Sequence, residues 1–421
     1  MNIRRLPSFM YHYKIVAILL ISGLFLIVYL LIYWGIMCTN LQAWRHVSNV
    51  CSRHNSGNAV GILCSPLCNR QGIHSLVCET LHAGKEAVFS AHWESTKLVF
   101  KAARTEITIE QAESLLWEDA NGLKHYPSEL EFASMIKDVV FNKLNYSMTT
   151  HQLERLSRLR TSKIETEIKK RQLEMENVWP LLQEQEYIMT ILFENKDVFP
   201  QLIGTCGTFY AVEYIRPIET PTTILALSDS MPEWAKRVKL AVMILDLLQD
   251  LQTVFNEPLY LCDVKINHFG LPPGGQKLKF LDLDAVFPKS VLNKIINNNK
   301  ECERNEDCDY FDCRSICSKN KRCVSPVANN NLQIVCEKIF LGWTISGTII
   351  IPGLLMSEHT SDSLAILLRQ CANPNGDMSQ LARAAASENF MAVDIRLTLF
   401  SIYSPIFVCT LFAIIFQKQI N

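Results

Sequence analysis

The chain has 421 residues, enough for one large domain or two ordinary ones. Its 41 basic and 42 acidic residues leave a net charge of −1, so no global field draws it to nucleic acid, and no nucleic-acid partner is expected. An apolar share of 48% is ordinary for a globular protein, but it is unevenly spread.

The first apolar block is Ile15–Met37, 23 residues without a charge. That length crosses a bilayer core with slack for tilt. The competing reading, a cleaved signal peptide, would have a shorter apolar core followed by small residues. Here Tyr29, Tyr33 and Trp34 crowd the C-terminal end like an interfacial belt. Arg4, Arg5 and Lys14 precede the block and only Arg45 follows closely, which keeps the N-terminus cytoplasmic and sends the bulk of the chain to the lumen. Residues 1–14 are then a cytoplasmic tail, 15–37 an anchor and 38–80 a cysteine-rich lumenal stem.

Fifteen cysteines fit that compartment. Cys51, Cys64, Cys68 and Cys78 cluster past the anchor, and Cys302, Cys308, Cys313, Cys317, Cys323 and Cys336 form a second cluster. Both read as disulfide frameworks, with connectivity open. A zinc site in the second cluster is the alternative, weakened by the lack of histidine and of paired C-x-x-C spacing. Asn145-Tyr146-Ser147 is a glycosylation sequon, accessible in a lumen.

Ala87–Trp93 and Lys97–Ala102 alternate as strands around a polar turn. Lys101 lies inside the second. It either faces outward or needs a buried partner. Residues 108–180 read as mostly helical and charged, with a capping box at Thr108–Gln111 and dense i, i+4 charge pairs over His151–Asn177. Asp119-Ala120-Asn121-Gly122 begins like a calcium loop, but its glycine comes two positions early and further acidic ligands are missing, so no calcium site is expected. Trp179–Phe193 reads as one amphipathic helix with Pro180 near its start and Glu186 in its middle. Gln201–Gly204 and Thr208–Ile215 read as strands. Ser230–Glu233 is a capping box opening a long helix, Pro232–Phe255.

The stretch Leu261–Val286 follows. Pro272-Pro273-Gly274-Gly275 is a turn between two apolar runs, which predicts a hairpin carrying Asp263 and Asp282 toward one end. Two carboxylates with Lys265 suggest a metal–phosphate site. The competing reading is a hairpin with charges on its wet face. Beyond it, Leu332–Leu355 reads as a core helix and turn, and Ser361–Cys371 as a helix. Leu397–Phe416 is a second charge-free run interrupted by Pro405, either a second membrane span or a terminal core or membrane-resting helix.

The order of these elements, a strand with lysine, a helix with glutamate, two strands, a long helix and a hairpin with two aspartates, resembles a protein kinase. Asp263-Val264-Lys265 resembles the catalytic-loop Asp-Leu-Lys, and Asp282-Leu283-Asp284 stands where kinases carry Asp-Phe-Gly. With the anchor behind Arg4-Arg5, the juxtamembrane cysteines, Gly204-Thr205-Cys206-Gly207, Leu261-Cys262-Asp263, Phe280–Asp284 and the later cysteines, the chain resembles the divergent protein kinase domain 1 family over about residues 1–375. Those are cysteine-rich type II membrane proteins of the endoplasmic reticulum.

The resemblance implies an α+β, bilobal protein-kinase-like fold behind an N-terminal transmembrane helix. A small β-rich lobe would span 81–215 with a helical insertion at about 105–178. A larger helical lobe would span 216–396 with a cysteine-rich insert at 302–336, followed by the apolar segment 397–416. It implies ATP with Mg or Mn as cofactors and a lumenal protein or glycan hydroxyl as substrate. Lys101 would pair with nucleotide phosphates and Glu186 would orient it. Asp263 would accept the hydroxyl proton, Lys265 would steady the phosphate, and Asp282 would hold metal.

The departures are specific. Only Gly84 stands where a glycine-rich loop is expected, His268 replaces a metal-binding asparagine, Asp284 ends the second motif, and no Ala-Pro-Glu follows. A pseudokinase, a kinase-shaped binding or scaffold module without turnover, is therefore the second reading.

Overall fold

The computed structural model describes residues 6–33, 40–69, 72–78, 87–102, 115–118, 122–159, 168–219, 230–253, 255–297, 300–324, 326–345, 348–372, and 395, 396 and 399. The chain divides into two compact units, one built from residues 1–136, 149–191 and 201–214, the other from 137–148, 192–200 and 215–421.

In the first unit α1 spans Leu6–Tyr33, with Leu19, Leu20 and Phe25 exposed. The ends of the expected anchor lie outside the described side chains. Among the described residues no helix is long and apolar enough to cross a membrane. Helices α2 (Asn40–Asn55) and α3 (Cys64–Cys68) follow. The sheet comprises β1 (Ile73–Cys78), β2 (Ala87–Trp93) and β3 (Thr96–Ala102), with β6 and β7 described below. A minor hairpin pairs β4 (Trp117–Glu118) with β5 (Lys124–His125). Residues 119–121 of the rejected calcium loop, and the capping box at Thr108, lie outside the described residues.

The helices are α4 (Glu129–Leu144), α5 (Thr150–Ser157), α6 (Ile168–Leu182) and α7 (Gln185–Leu192). Trp179–Phe193 is thus two helices rather than one. Pro180 has no amide hydrogen to bond back along α6, and the chain tightens behind it. The N–H groups of Gln183 and Glu184 donate to Pro180 and Leu181 at 3.1 and 3.0 Å, three residues back, before α7 starts. Glu186 therefore sits in the first turn of α7, not in mid-helix.

Strands β6 (Leu202–Cys206) and β7 (Phe209–Glu213) complete an antiparallel sheet of order β1-β2-β3-β7-β6. Alternation builds its inner face. Leu98, Phe100 and Ala102 are buried, with Phe89 stacked on Phe100 at 5.2 Å between ring centres. Phe209 meets Phe89 edge-on at 5.8 Å. Val47 and Val50 of α2 and Leu67 of α3 cover this face. Gly207 turns β6 into β7 at φ +58°, a left-handed conformation that glycine adopts without strain.

Arg171 of α6 donates to both oxygens of Glu129 of α4 at 2.6 and 2.9 Å and to Glu174 at 2.7 Å. The hydrogen bonds from Arg171 hold the Glu129 carboxyl below the ordinary glutamate range. Because the folded value is the lower one, the pair's contribution is present above the unfolded value of about 4.3 and is lost as pH falls below it. Glu129 is 57% exposed, so the expected size is about 1 kcal/mol or less. Urea unfolding of wild type and Glu129→Gln should differ near pH 7 and converge near pH 3. A gap that persists at low pH would mean that packing, not charge, carries it.

The second unit, which also takes in α4 from residue 137 onward, contains β8 (Arg216–Pro217) and α8 (Met231–Thr253). Ser230 opens α8 as the sequence predicts, its carbonyl accepting from the Trp234 N–H at 2.9 Å. Trp234, Val238, Ala241, Leu245 and Leu248 are buried along it. Strands β9 (Leu259–Leu261), β10 (Phe269–Leu271), β11 (Lys279–Phe280) and β12 (Val286–Pro288) follow, then α9 (Lys289–Ile296). The cysteine-rich segment carries β13 (Ile316–Cys317) and β14 (Cys323–Val324). Helix α10 (Asn331–Val335) runs into a π-helical turn, Cys336–Leu341.

The core helix and turn expected over Leu332–Leu355 reach only as far as Leu341, and a hairpin of β15 (Gly342–Ile345) and β16 (Thr348–Pro352) takes the rest. Gly342 has φ +94°, and a side chain on it would meet the Ile351 carbonyl oxygen at 2.2 Å. The β-branched run Thr348–Ile351 suits a strand. Helix α11 (Asp362–Ala372) is the last of these elements. Nearly all of the apolar segment 397–416 lies outside the described residues.

Candidate functional site

The stretch Leu261–Val286 folds as two nested antiparallel ladders. The outer pairs Val286 with Leu261 and Pro288 with Leu259, and the inner pairs Phe269 with Phe280. The Pro-Pro-Gly-Gly turn closes the inner one, with the Gly275 N–H donating to the Pro272 carbonyl at 2.9 Å. Residues 262–268 and 281–285 lie between the two ladders, so Asp263 and Asp282 emerge side by side. Each is aimed by buried neighbours. Cys262 and Val264 flank Asp263, and Leu283, also buried, follows Asp282.

One ligand atom each from Asp263, His268 and Asp282 falls within 4.8 Å of the others. The His268 Nε2 lies 3.4 Å from Asp282 Oδ2, and its Nδ1 lies 3.0 Å from the Asp263 carbonyl oxygen. Lys265 donates from Nζ to Asp263 Oδ2 at 2.9 Å. The Asp284 N–H reaches Asp282 Oδ1 at 3.4 Å. His268 is nearly buried, its side chain 11% exposed, while Asp282 is 40% exposed. Two carboxylates and a nearly buried imidazole nitrogen this close together are a donor set that fits a divalent ion.

In the first unit, Lys101 Nζ donates to Glu186 Oε1. The lysine side chain is 12% exposed and the glutamate fully buried, so Lys101 is not an outward-facing strand lysine. Strand β3 places it opposite Val88 on one side and Tyr210 on the other, and Tyr210 meets Tyr187 edge-on at 5.7 Å.

Several residues that hold the hairpin were not singled out from the sequence. Cys262, next to Asp263, is disulfide-bonded to Cys313. The neighbouring Asp312 accepts from the Val264 N–H at 2.7 Å and from Lys338 Nζ at 2.8 Å to each oxygen, while its own N–H donates to the Cys262 carbonyl at 2.7 Å. Asn331 accepts from the Leu261 N–H at 2.8 Å and donates to the Leu259 carbonyl at 2.7 Å. The later cysteine-rich segment is thus a brace for the Asp263 loop.

The other bridges are Cys51–Cys68, Cys64–Cys206, Cys302–Cys317, Cys308–Cys323 and Cys336–Cys371, and Cys78 is also disulfide-bonded. These cysteines are therefore not zinc ligands. Cys206, Cys262 and Cys371 lie outside both clusters, and a cluster count alone does not find them. Asn145 of the sequon has φ +47°, and its side-chain amide donates to Ser290 at 2.9 Å.

A lysine–glutamate pair on the strand and helix of one unit, and an aspartate loop and aspartate turn held by a hairpin in the other, make this an α+β protein of kinase-like fold. A family model described as the protein-kinase domain of FAM69 matches residues 178–374, and one described as the N-terminal cysteine-rich ER segment of FAM69 matches residues 4–159. The chain belongs to this divergent kinase-like, ER-associated family.

Among solved structures, the BubR1 kinase domain is 11% identical over 79% of this chain and 84% of its own, with a TM-score of 0.30. Vaccinia related kinase 3 is 10% identical over 52% of this chain and 48% of its own, at 0.23. Rv3197 from Mycobacterium tuberculosis, solved with erythromycin, is 14% identical over 54% and 52%, at 0.22. The chain spans about half the length of the last two.

Proposed function

We propose that the chain is a phosphotransferase of the endoplasmic reticulum lumen that moves a phosphoryl group from ATP to a protein or glycan hydroxyl. The observation that carries this is the convergence of Asp263, His268 and Asp282, with Lys265 on Asp263. In this reading Lys101, held by Glu186, pairs with nucleotide phosphates. Asp263 accepts the hydroxyl proton, and Lys265 steadies the transferring group. Asp282 and His268 would hold a divalent ion, which when bound neutralises charge on the phosphates. The charge-free run Ile15–Met37 is read as a type II anchor, and the disulfides and the ER-associated family support a lumenal location.

The pseudokinase reading is favoured by His268 itself, where an active kinase carries asparagine, and by the single Gly84 upstream of Lys101. Purified full chain, assayed for Mg- or Mn-dependent ATP binding and turnover, separates the two. Under the transferase reading Asp282→Ala and Lys101→Met each lower turnover by roughly a hundredfold or more. Turnover unchanged in both variants sinks the assignment, and nucleotide binding without turnover leaves a binding module.

A further inference from the structure

We infer that His268 makes the ion site of this hairpin selective for a first-row divalent transition metal over magnesium, with His268 Nε2 and Asp282 Oδ2 as its protein ligands. This rests on the metal-site reading above but not on turnover.

A carbonyl oxygen can only accept, so the 3.0 Å contact between Nδ1 and the Asp263 carbonyl requires that Nδ1 carry the proton. In the neutral ring Nε2 then bears the lone pair. That lone pair faces a carboxylate oxygen, Asp282 Oδ2, at 3.4 Å. A divalent cation beside Nε2 and Oδ2 would satisfy both atoms, as would a proton on Nε2, and the two cases are separated by the test below. A backbone carbonyl on the distal nitrogen is the arrangement that fixes the tautomer and orientation of metal-binding histidines.

The surroundings keep the ring in place. His268 packs edge-on against Phe280 at 5.9 Å, and its own carbonyl accepts from the Leu281 N–H at 2.8 Å. The imidazole is thereby tied to both sides of the hairpin. Asp282 is the more exposed partner, which leaves room for water or phosphate oxygens to complete the shell. Asp263 Oδ2 is held by Lys265, so this carboxylate stays available to substrate in the reading above. One imidazole nitrogen among oxygens lowers affinity for magnesium, which prefers an all-oxygen shell and dehydrates reluctantly. It raises affinity for the transition ions.

The experiment uses the full chain, stripped of metal by chelator and titrated with Mn2+ alone. Free Mn2+ is followed by its EPR signal, and bound Mn2+ by pulsed EPR. Expected are a directly bonded nitrogen on the bound ion, and Mg2+ displacing Mn2+ only at tenfold or greater excess over equal competition. In His268→Asn the nitrogen coupling should vanish and the Mn2+/Mg2+ discrimination should shrink about tenfold. His268→Gln is the second variant if the first fails to fold, judged by thermal unfolding against wild type. Bound Mn2+ without nitrogen coupling overturns the inference, as does undiminished discrimination in a folded variant. Failure to bind Mn2+ also overturns it and points to an imidazolium–carboxylate pair. Selective Mn2+ binding in a chain that never turns over ATP leaves the inference standing and removes the transferase reading instead.

Discussion

Glu186→Leu is expected to destabilise the first unit by about 3–5 kcal/mol, because it removes the buried carboxylate from beside the Lys101 ammonium in a largely dry site. Lys101→Met should cost a similar amount by removing the cation from beside the fully buried Glu186 carboxylate. The double variant Lys101→Met/Glu186→Leu should recover most of that loss, because replacing a buried ion pair with apolar groups of similar volume is commonly neutral or stabilising. Urea unfolding of the four proteins gives the coupling energy directly. Single-variant costs that simply add would mean the two side chains do not act as a pair.

The recovered stability has a further use. A pair that an apolar core can replace without loss is not there to hold the fold. If the double variant is as stable as wild type and no longer binds ATP, the charges are kept for the ligand. If it is as stable and binds ATP as wild type does, the pair has no part in nucleotide recognition.

What the sequence made legible was local. The alternation of Leu98, Phe100 and Ala102 marked β3, Ser230 marked the start of α8, and Pro272–Gly275 marked the hairpin turn. Each signal lies within a few residues of the feature that it specifies. The candidate site was legible to the same extent, since Asp263, His268 and Asp282 all belong to one hairpin.

The brace was not legible. Cys262 meets a partner 51 residues away and Cys64 one 142 residues away, and no local pattern distinguishes those pairings from others. Asp312 reads in sequence as one more acid in a charged, cysteine-rich loop. Its role exists only because the disulfide delivers it to the Val264 N–H. The apolar run Leu332–Leu355 failed differently. An apolar run of this length does not by itself separate a helix from a strand pair, and the hairpin starts at Gly342, whose φ is +94°.

That brace carries the other large effect. Removing the bridge with Cys262→Ala/Cys313→Ala opens a loop of 51 residues' separation, which in the chain-entropy account costs about 4 kcal/mol. Asp312→Asn keeps the shape but weakens the charged contacts to Lys338 and Val264, for about 1.5–3 kcal/mol. Both changes loosen the same residues, so the combined loss should fall short of the sum. Local opening gives the sharper readout. Asp263 is presented between Cys262 and Val264, whose backbone groups bond to Asp312 from either side. Hydrogen exchange at the Val264 amide should therefore accelerate far more than that of Trp234 in α8, even where global stability is restored by a stabilising cosolvent. Equal acceleration at both amides would mean that the bridge holds the whole unit and not the loop. Preferential opening at Val264 would make the cysteine-rich segment what fixes the position of Asp263, a part that depends on oxidised cysteines and therefore on the compartment in which the chain folds.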